Sequence, residues 1–132
     1  MDMTLDVTQV LADMDGKPMM EPRQVFDDDG KPVLDAEGKP TVERVAVTLR
    51  MVCQNCLAAQ LETDKGMSGE DKIAIYSLSL KIHKEDRPVL DAKEVVLLKA
   101  RVGMAFVPAI VGPAFLLLNG TPSTPKLAET KR

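Results

Sequence analysis

Three short repeats govern what the first third of this 132-residue chain can fold into. Asp15-Gly16-Lys17-Pro18, Asp29-Gly30-Lys31-Pro32 and Glu37-Gly38-Lys39-Pro40 each stand between short segments rich in Val, Leu or Met. Glycine supplies the positive φ that tight hairpin turns require, and the proline two residues later lacks the N–H that a central ladder would use. Residues 1–47 therefore read as an edge-rich β-meander or set of hairpin arms, with candidate strands at 5–14, 23–26 and 42–47.

From Thr48 the period of the apolar residues changes. Leu49, Val52, Cys53, Cys56, Leu57, Ala59 and Leu61 recur at three- and four-residue spacing, which predicts an amphipathic helix with Thr48 as its N-cap. Residues 62–67 are polar, and Ser68-Gly69-Glu70-Asp71 resembles a capping box at the start of a second helix over 69–84. Pro88 breaks that helix by disfavouring helical geometry at Arg87. Asp91 and Glu94 then cap a third helix whose apolar residues, from Val95 onward, cover nearly its whole circumference, so this helix is expected to be the central one. Pro108 is expected to kink or end it, Gly112-Pro113 to break the chain again, and 114–118 to form a last turn before Asn119-Gly120. The expected fold is α+β: β-hairpin arms over 1–47, a domain of three to four helices over 48–120 and a flexible tail over 121–132.

The length suits one domain, since a chain of this size buries roughly two-thirds of its unfolded surface and two domains would each be too small. Apolar content of 45% argues against wholesale disorder, although three Phe and one Tyr leave most of the core to aliphatic residues and eight Met. The formal net charge is −3 and the Lys and Arg residues are scattered, so there is no basic footprint for a nucleic-acid backbone. The opening MDMTLDV lacks the basic and apolar regions of a secretory signal, so the chain is expected to stay in a reducing cytoplasm. Residues 102–118 carry no charge, but this run falls short of the roughly 20 residues a spanning helix needs. It also holds Gly103, Pro108, Gly112 and Pro113, and reads as a buried, kinked helix pair rather than a membrane segment.

Cys53 and Cys56, the only cysteines, stand at CxxC spacing behind the strand-like VAVTL. A strand, CxxC and helix in succession is the context in which a helix N-terminus activates a thiol, so a thiol-disulfide oxidoreductase is one alternative. Gln54-Asn55 between the cysteines and the helix-rich sequence that follows do not suit that fold. A zinc site needs about four ligands, and two Cys with the single His83 fall short. The plain reading makes Cys53 and Cys56 small buried hydrophobes on one helix face. His83 suits the C-terminal end of the second helix. Asp27-Asp28-Asp29-Gly30 lacks the ligand spacing of a calcium loop and reads as a solvated acidic turn. No phosphate loop, nucleophile elbow or HExxH occurs, so no catalytic residue, metal or cofactor is expected.

Three stretches, Thr-Leu-Arg-Met-Val-Cys-Gln-Asn-Cys-Leu-Ala-Ala (48–59), Met-Ser-Gly-Glu-Asp-Lys (67–72) and residues 102–120, together resemble a group of small, uncharacterised phage and prophage proteins. Those share a pattern of the form TLRxVCxNALLA, SGEEK and GKAFxPLIVGxA. The chain departs from it at Met104, at Pro113 and in its longer N-terminal region, and in that pattern the second cysteine is often alanine. The resemblance implies a phage context and carries over no active residue. The first expectation is a non-enzymatic virion or assembly protein that oligomerises or adds its β-arms to a protein partner, with Met19, Met20, Val25 and Phe26 as candidate contact residues. It would work in the host cytoplasm or the virion. The alternative is an inhibitor that binds a host defence protein or a signalling molecule.

Overall fold

The computed structural model describes residues 2–120. Its elements are β1 (Met3–Thr4), β2 (Met20–Gln24), β3 (Val42–Ala46), α1 (Leu49–Ala58), a 3₁₀ turn (Glu62–Asp64), α2 (Gly69–Lys84), β4 (Val89–Leu90), α3 (Ala92–Ala105) and α4 (Pro108–Leu118). This is the expected α+β arrangement, with two antiparallel pairs, β1–β4 and β2–β3. The tail expected at 121–132 lies outside the described residues.

The turns in the N-terminal region explain its repeats, which begin two residues earlier than the Gly-Lys-Pro signal suggests. Asp13, Asp27 and Asp35 each accept, through Oδ1, the amides two and four residues on at 2.9 Å. Gly16, Gly30 and Gly38 close the same turns at φ of 79°, 81° and 80°. An Asp opening a type I turn and a left-handed Gly ending it form a hairpin with a bulge, so the working motif is Asp-x-acid-Gly-Lys-Pro.

These hairpins meet the rest of the chain at two three-way backbone junctions. In the proximal one, Leu11 N–H donates to Val47 O, Val47 N–H to Met19 O and Met19 N–H to Leu11 O, at 2.9, 2.8 and 2.8 Å. In the distal one, Val25 N–H donates to Thr41 O, Thr41 N–H to Val33 O and Val33 N–H to Val25 O, at 3.0, 2.7 and 2.9 Å. The β2–β3 ladder, in register from Met20 opposite Ala46 to Gln24 opposite Val42, joins the two. Pro22 is tolerated in β2 because, among the described residues, that strand pairs only with β3 and leaves an edge free.

The arm is thus residues 20–46, and the sequence boundary at 47 does not separate two bodies. The strand expected over 5–14 is instead a strap across the helices, preceded by the short strand β1 and making only single bridges, at Val10 and Ala12. Leu5, Val7 and Leu11 are fully buried, and Leu5 and Val7 donate to Pro88 O and Asp86 O. Gln9 O and Val7 O accept the amides of Leu49 and Arg50, while Thr48 Oγ1 accepts that of Met51. Three of the four amides that the start of α1 leaves without a helical partner are thereby paired.

α1 is the central helix, packing against α2, α3 and α4 and burying Leu49, Val52, Cys53, Cys56 and Leu57. The expectation that α3 is central and covered on most sides is corrected. α3 buries Leu98, Arg101 and Val102 but leaves Val96 66% exposed. Pro108 does separate the last two helices, standing at the start of α4 where its missing N–H is harmless. Pro113, by contrast, lies inside an unbroken α4. The carbonyl it deprives of a helical donor is that of Ala109, an exposed residue where solvent replaces the lost bond.

Arg101 is the buried polar side chain of this core, 3% exposed. Its Nε donates to Cys56 O at 2.9 Å and Nη2 to Ala59 O at 2.8 Å, which pairs carbonyls at the C-terminal end of α1. Nη1 and Nη2 also grip both carboxylate oxygens of Asp64, at 2.8 and 3.1 Å. Arg50 does the same for α2, donating to Ile82 O, Glu85 O and Asp86. Arg101→Met leaves the carbonyls of Cys56 and Ala59 without their donor, and since a buried polar group left unpaired costs about 1–3 kcal/mol, it should destabilise the fold by at least that order in urea unfolding. The Arg101 hydrogen bonds hold the Asp64 carboxyl below its usual range. Its contribution is therefore present above the unfolded carboxylate value and lost as pH falls through the lowered folded one. Unfolding measured against pH should show Asp64→Asn with a flatter loss of stability below about pH 4 than the parent chain.

Candidate interaction surfaces

The distal junction ends the arm in a small tip of two hairpin turns. Val25, Val33 and Thr41, which close the ring of backbone bonds, are half-buried. Each is followed by an apolar residue, and strand alternation sends that residue to the opposite face. Phe26, Leu34 and Val42 are accordingly 55%, 57% and 56% exposed. Pro32 and Pro40 are the cross-strand neighbours of Phe26 and Leu34.

The four candidate contact residues consequently part company. Met19 is half-buried and packs against the main core, which removes it from the arm surface. Met20 is exposed at the base of the arm, Val25 is part of the distal ring, and Phe26 is on the tip face. Sequence reading missed Leu34 and Val42. The signal was present: Phe26, Leu34 and Val42 stand eight residues apart, the same step that separates Asp27 from Asp35.

A second apolar surface lies on α4. Val107, Pro108, Ala109, Gly112 and Leu116 are exposed, and the uncharged run that suggested a buried helix pair is in fact buried on one side only, through Ala114, Leu117 and Leu118. Between α4 and the first hairpin opens a cleft of about 620 Å³. Ala12, Asp13 and Met14 form one wall, and Pro108, Ala109, Gly112, Pro113 and Leu116 the other. No helix among the described residues is long and apolar enough to cross a membrane.

Elsewhere the polar groups are engaged in holding the fold. A cleft of about 220 Å³ beside Arg101 and Asp64 is lined by Gln60, Met67 and Lys72, with the guanidinium and carboxylate already paired to each other. The Asp27-Asp28-Asp29 run serves a turn, because Asp27 caps the amides of Asp29 and Lys31. His83 Nδ1 lies 3.1 Å from Gln54 Nε2, a link between α2 and α1. No group of three or more His, Cys, Asp or Glu among the described residues is placed to hold a metal ion.

Cys53 and Cys56 are free and buried on the core face of α1, beyond its first turn. Cys56 Sγ donates to Cys53 O at 3.2 Å. Burial, reinforced by the neighbouring Cys56, pushes the Cys53 thiol up. Burial likewise pushes Cys56 up to about 12, against a partial offset from Arg101. Neither position offers the helix-terminal, exposed thiolate that exchange chemistry uses.

Comparison with known proteins returns no matching family model, no matching curated protein and no matching solved structure. For the thiols the expected outcome is direct. An aromatic disulfide reagent at neutral pH should modify Cys53 and Cys56 of the folded chain at least about a hundredfold more slowly than in the urea-unfolded chain.

Proposed function

We propose that this chain is a non-enzymatic, phage-type assembly protein that works through protein contacts, with the arm as its docking element. One observation carries the reading: the arm projects a tip whose Phe26, Leu34 and Val42 are each more than half exposed on a frame of backbone rings and aspartate-capped turns. Exposed apolar residues gathered in one place, beside outer edges of β2 and β3 that no other strand among the described residues pairs, are features that partner binding uses. The resemblance of residues 48–59, 67–72 and 102–120 to phage and prophage proteins supplies the setting, with the host cytoplasm or the virion as the place of action. Scattered basic residues give no support to a nucleic-acid partner. The burial of Cys53 and Cys56 favours a packing role over thiol-disulfide exchange.

The test is affinity capture of the tagged full chain, beside its Phe26→Asp variant, from phage-infected or prophage-induced cells. Capsid, connector or tail proteins should accompany the parent chain and be depleted at least about tenfold with the variant, as expected for loss of an apolar anchor. Recovery of a host defence component without virion proteins would replace the assembly reading by the inhibitor one.

A further inference from the structure

We propose that the arm tip of one copy, through Phe26, Leu34 and Val42, docks in the cleft beside α4 of a second copy, so that copies join head to tail. This names the partner left open by the assembly reading and rests on that reading for its biological purpose.

The occupant is argued from the repeat itself. Each hairpin motif places one residue immediately before its turn aspartate: Ala12, Phe26 and Leu34. In the first hairpin that residue, Ala12, lines the cleft opposite α4 within the same chain. One wall of the cleft is therefore already built from this motif, in the same backbone conformation found at the tip. The two copies of the motif that carry large apolar residues at this position, Phe26 and Leu34, are the exposed ones. Size is complementary as well. The α4 wall offers small residues, Ala109 and Gly112, with no heavy atom within 4 Å of where a Gly112 side chain would begin.

Charge selects tip-on-cleft over tip-on-tip. Residues 20–46 hold seven acidic and four basic side chains, which is the whole of the chain's net charge of −3. Two arms brought together would repel, whereas residues 102–118, which include all of α4, are uncharged. The one carboxylate on the cleft, Asp13, is turned to the amides of its own hairpin through Oδ1. Joined head to tail, tip and cleft make a heterologous contact that leaves a free tip at one end and a free cleft at the other and builds rings or filaments, whereas a reciprocal exchange of both tips would stop at a closed dimer.

Sedimentation velocity of the purified full chain and its variants over a range of concentrations tests this. The parent chain should form species beyond the dimer as concentration rises. Phe26→Asp, with a spoiled tip, and Leu116→Asp, with a spoiled cleft, should each associate at least about tenfold more weakly and sediment as monomers. An equal mixture of the two retains one good tip and one good cleft, and should give a heterodimer and nothing larger. Leu34→Asp and Ala109→Glu repeat the scheme should either first variant fail to show the parent's circular dichroism. A parent chain that stays monomeric or stops at a closed dimer, or folded variants that do not pair on mixing, would overturn the proposal. Failure here together with Phe26-dependent capture of a virion protein would leave the assembly reading standing with a different partner. Head-to-tail pairing without any virion protein captured would do the reverse.

Discussion

The guanidinium of Arg101 is the interaction on which the body of the molecule turns. It supplies donors to the C-terminal end of α1 at Cys56 and Ala59, and its grip on Asp64 fixes the 3₁₀ turn that redirects the chain towards α2. At the other end of α1, Val7, Gln9 and Thr48 supply the acceptors. The central helix is thus completed at both ends by residues far away in sequence. A buried ion pair is weak evidence for raw stability, because desolvation offsets most of its attraction. Its effect here is geometric: one guanidinium ties α3 to the end of α1 and to the connecting turn.

The arm is held by other means. A lone two-stranded ribbon is marginal in water. Here the ribbon is closed at each end by a ring of three backbone hydrogen bonds, and at the tip Asp27 and Asp35 turn their carboxylates to turn amides. The proximal ring is seated on the body through Leu11, Met19 and Val47. Order in the arm is mostly hydrogen-bonded, and order in the body mostly apolar. Side chains at the tip are for this reason not consumed by folding.

Much of this was legible along the chain, and the omissions have physical causes. Helix starts at Thr48, Ser68 and Asp91 are local events, one side chain reaching amides three residues on, and the sequence reading places all three. The glycine turns are likewise local. What local reasoning misjudged depends on distant partners: the strap at Leu5–Leu11 is extended yet pairs with a loop and a helix end, and Pro113 sits in a helix because the bond it removes faces solvent. Arg101 reads in sequence as a flank to an apolar run, with nothing nearby to announce Asp64, thirty-seven positions earlier. Of the exposed tip, Phe26 was among the sequence candidates, while Met19 was misplaced, because burial of Met19 is decided by the body beneath it.

The eight-residue step of the distal tip has a consequence for how such an arm changes length. Val33 stands to Val25 as Val42 does to Gln24, so excising residues 34–41 would join Val33 to Val42 and leave Val25 facing Val33 as one more rung of the β2–β3 ladder. The reverse operation, insertion of a single Asp-x-acid-Gly-Lys-Pro unit with its flanking pair, turns the end of a plain ribbon into a branch point without shifting any register below it. Branching in this architecture is therefore a one-step duplication, and a lineage can gain or shed a leaf of the tip while the ladder, the proximal ring and the helical body keep their coordinates.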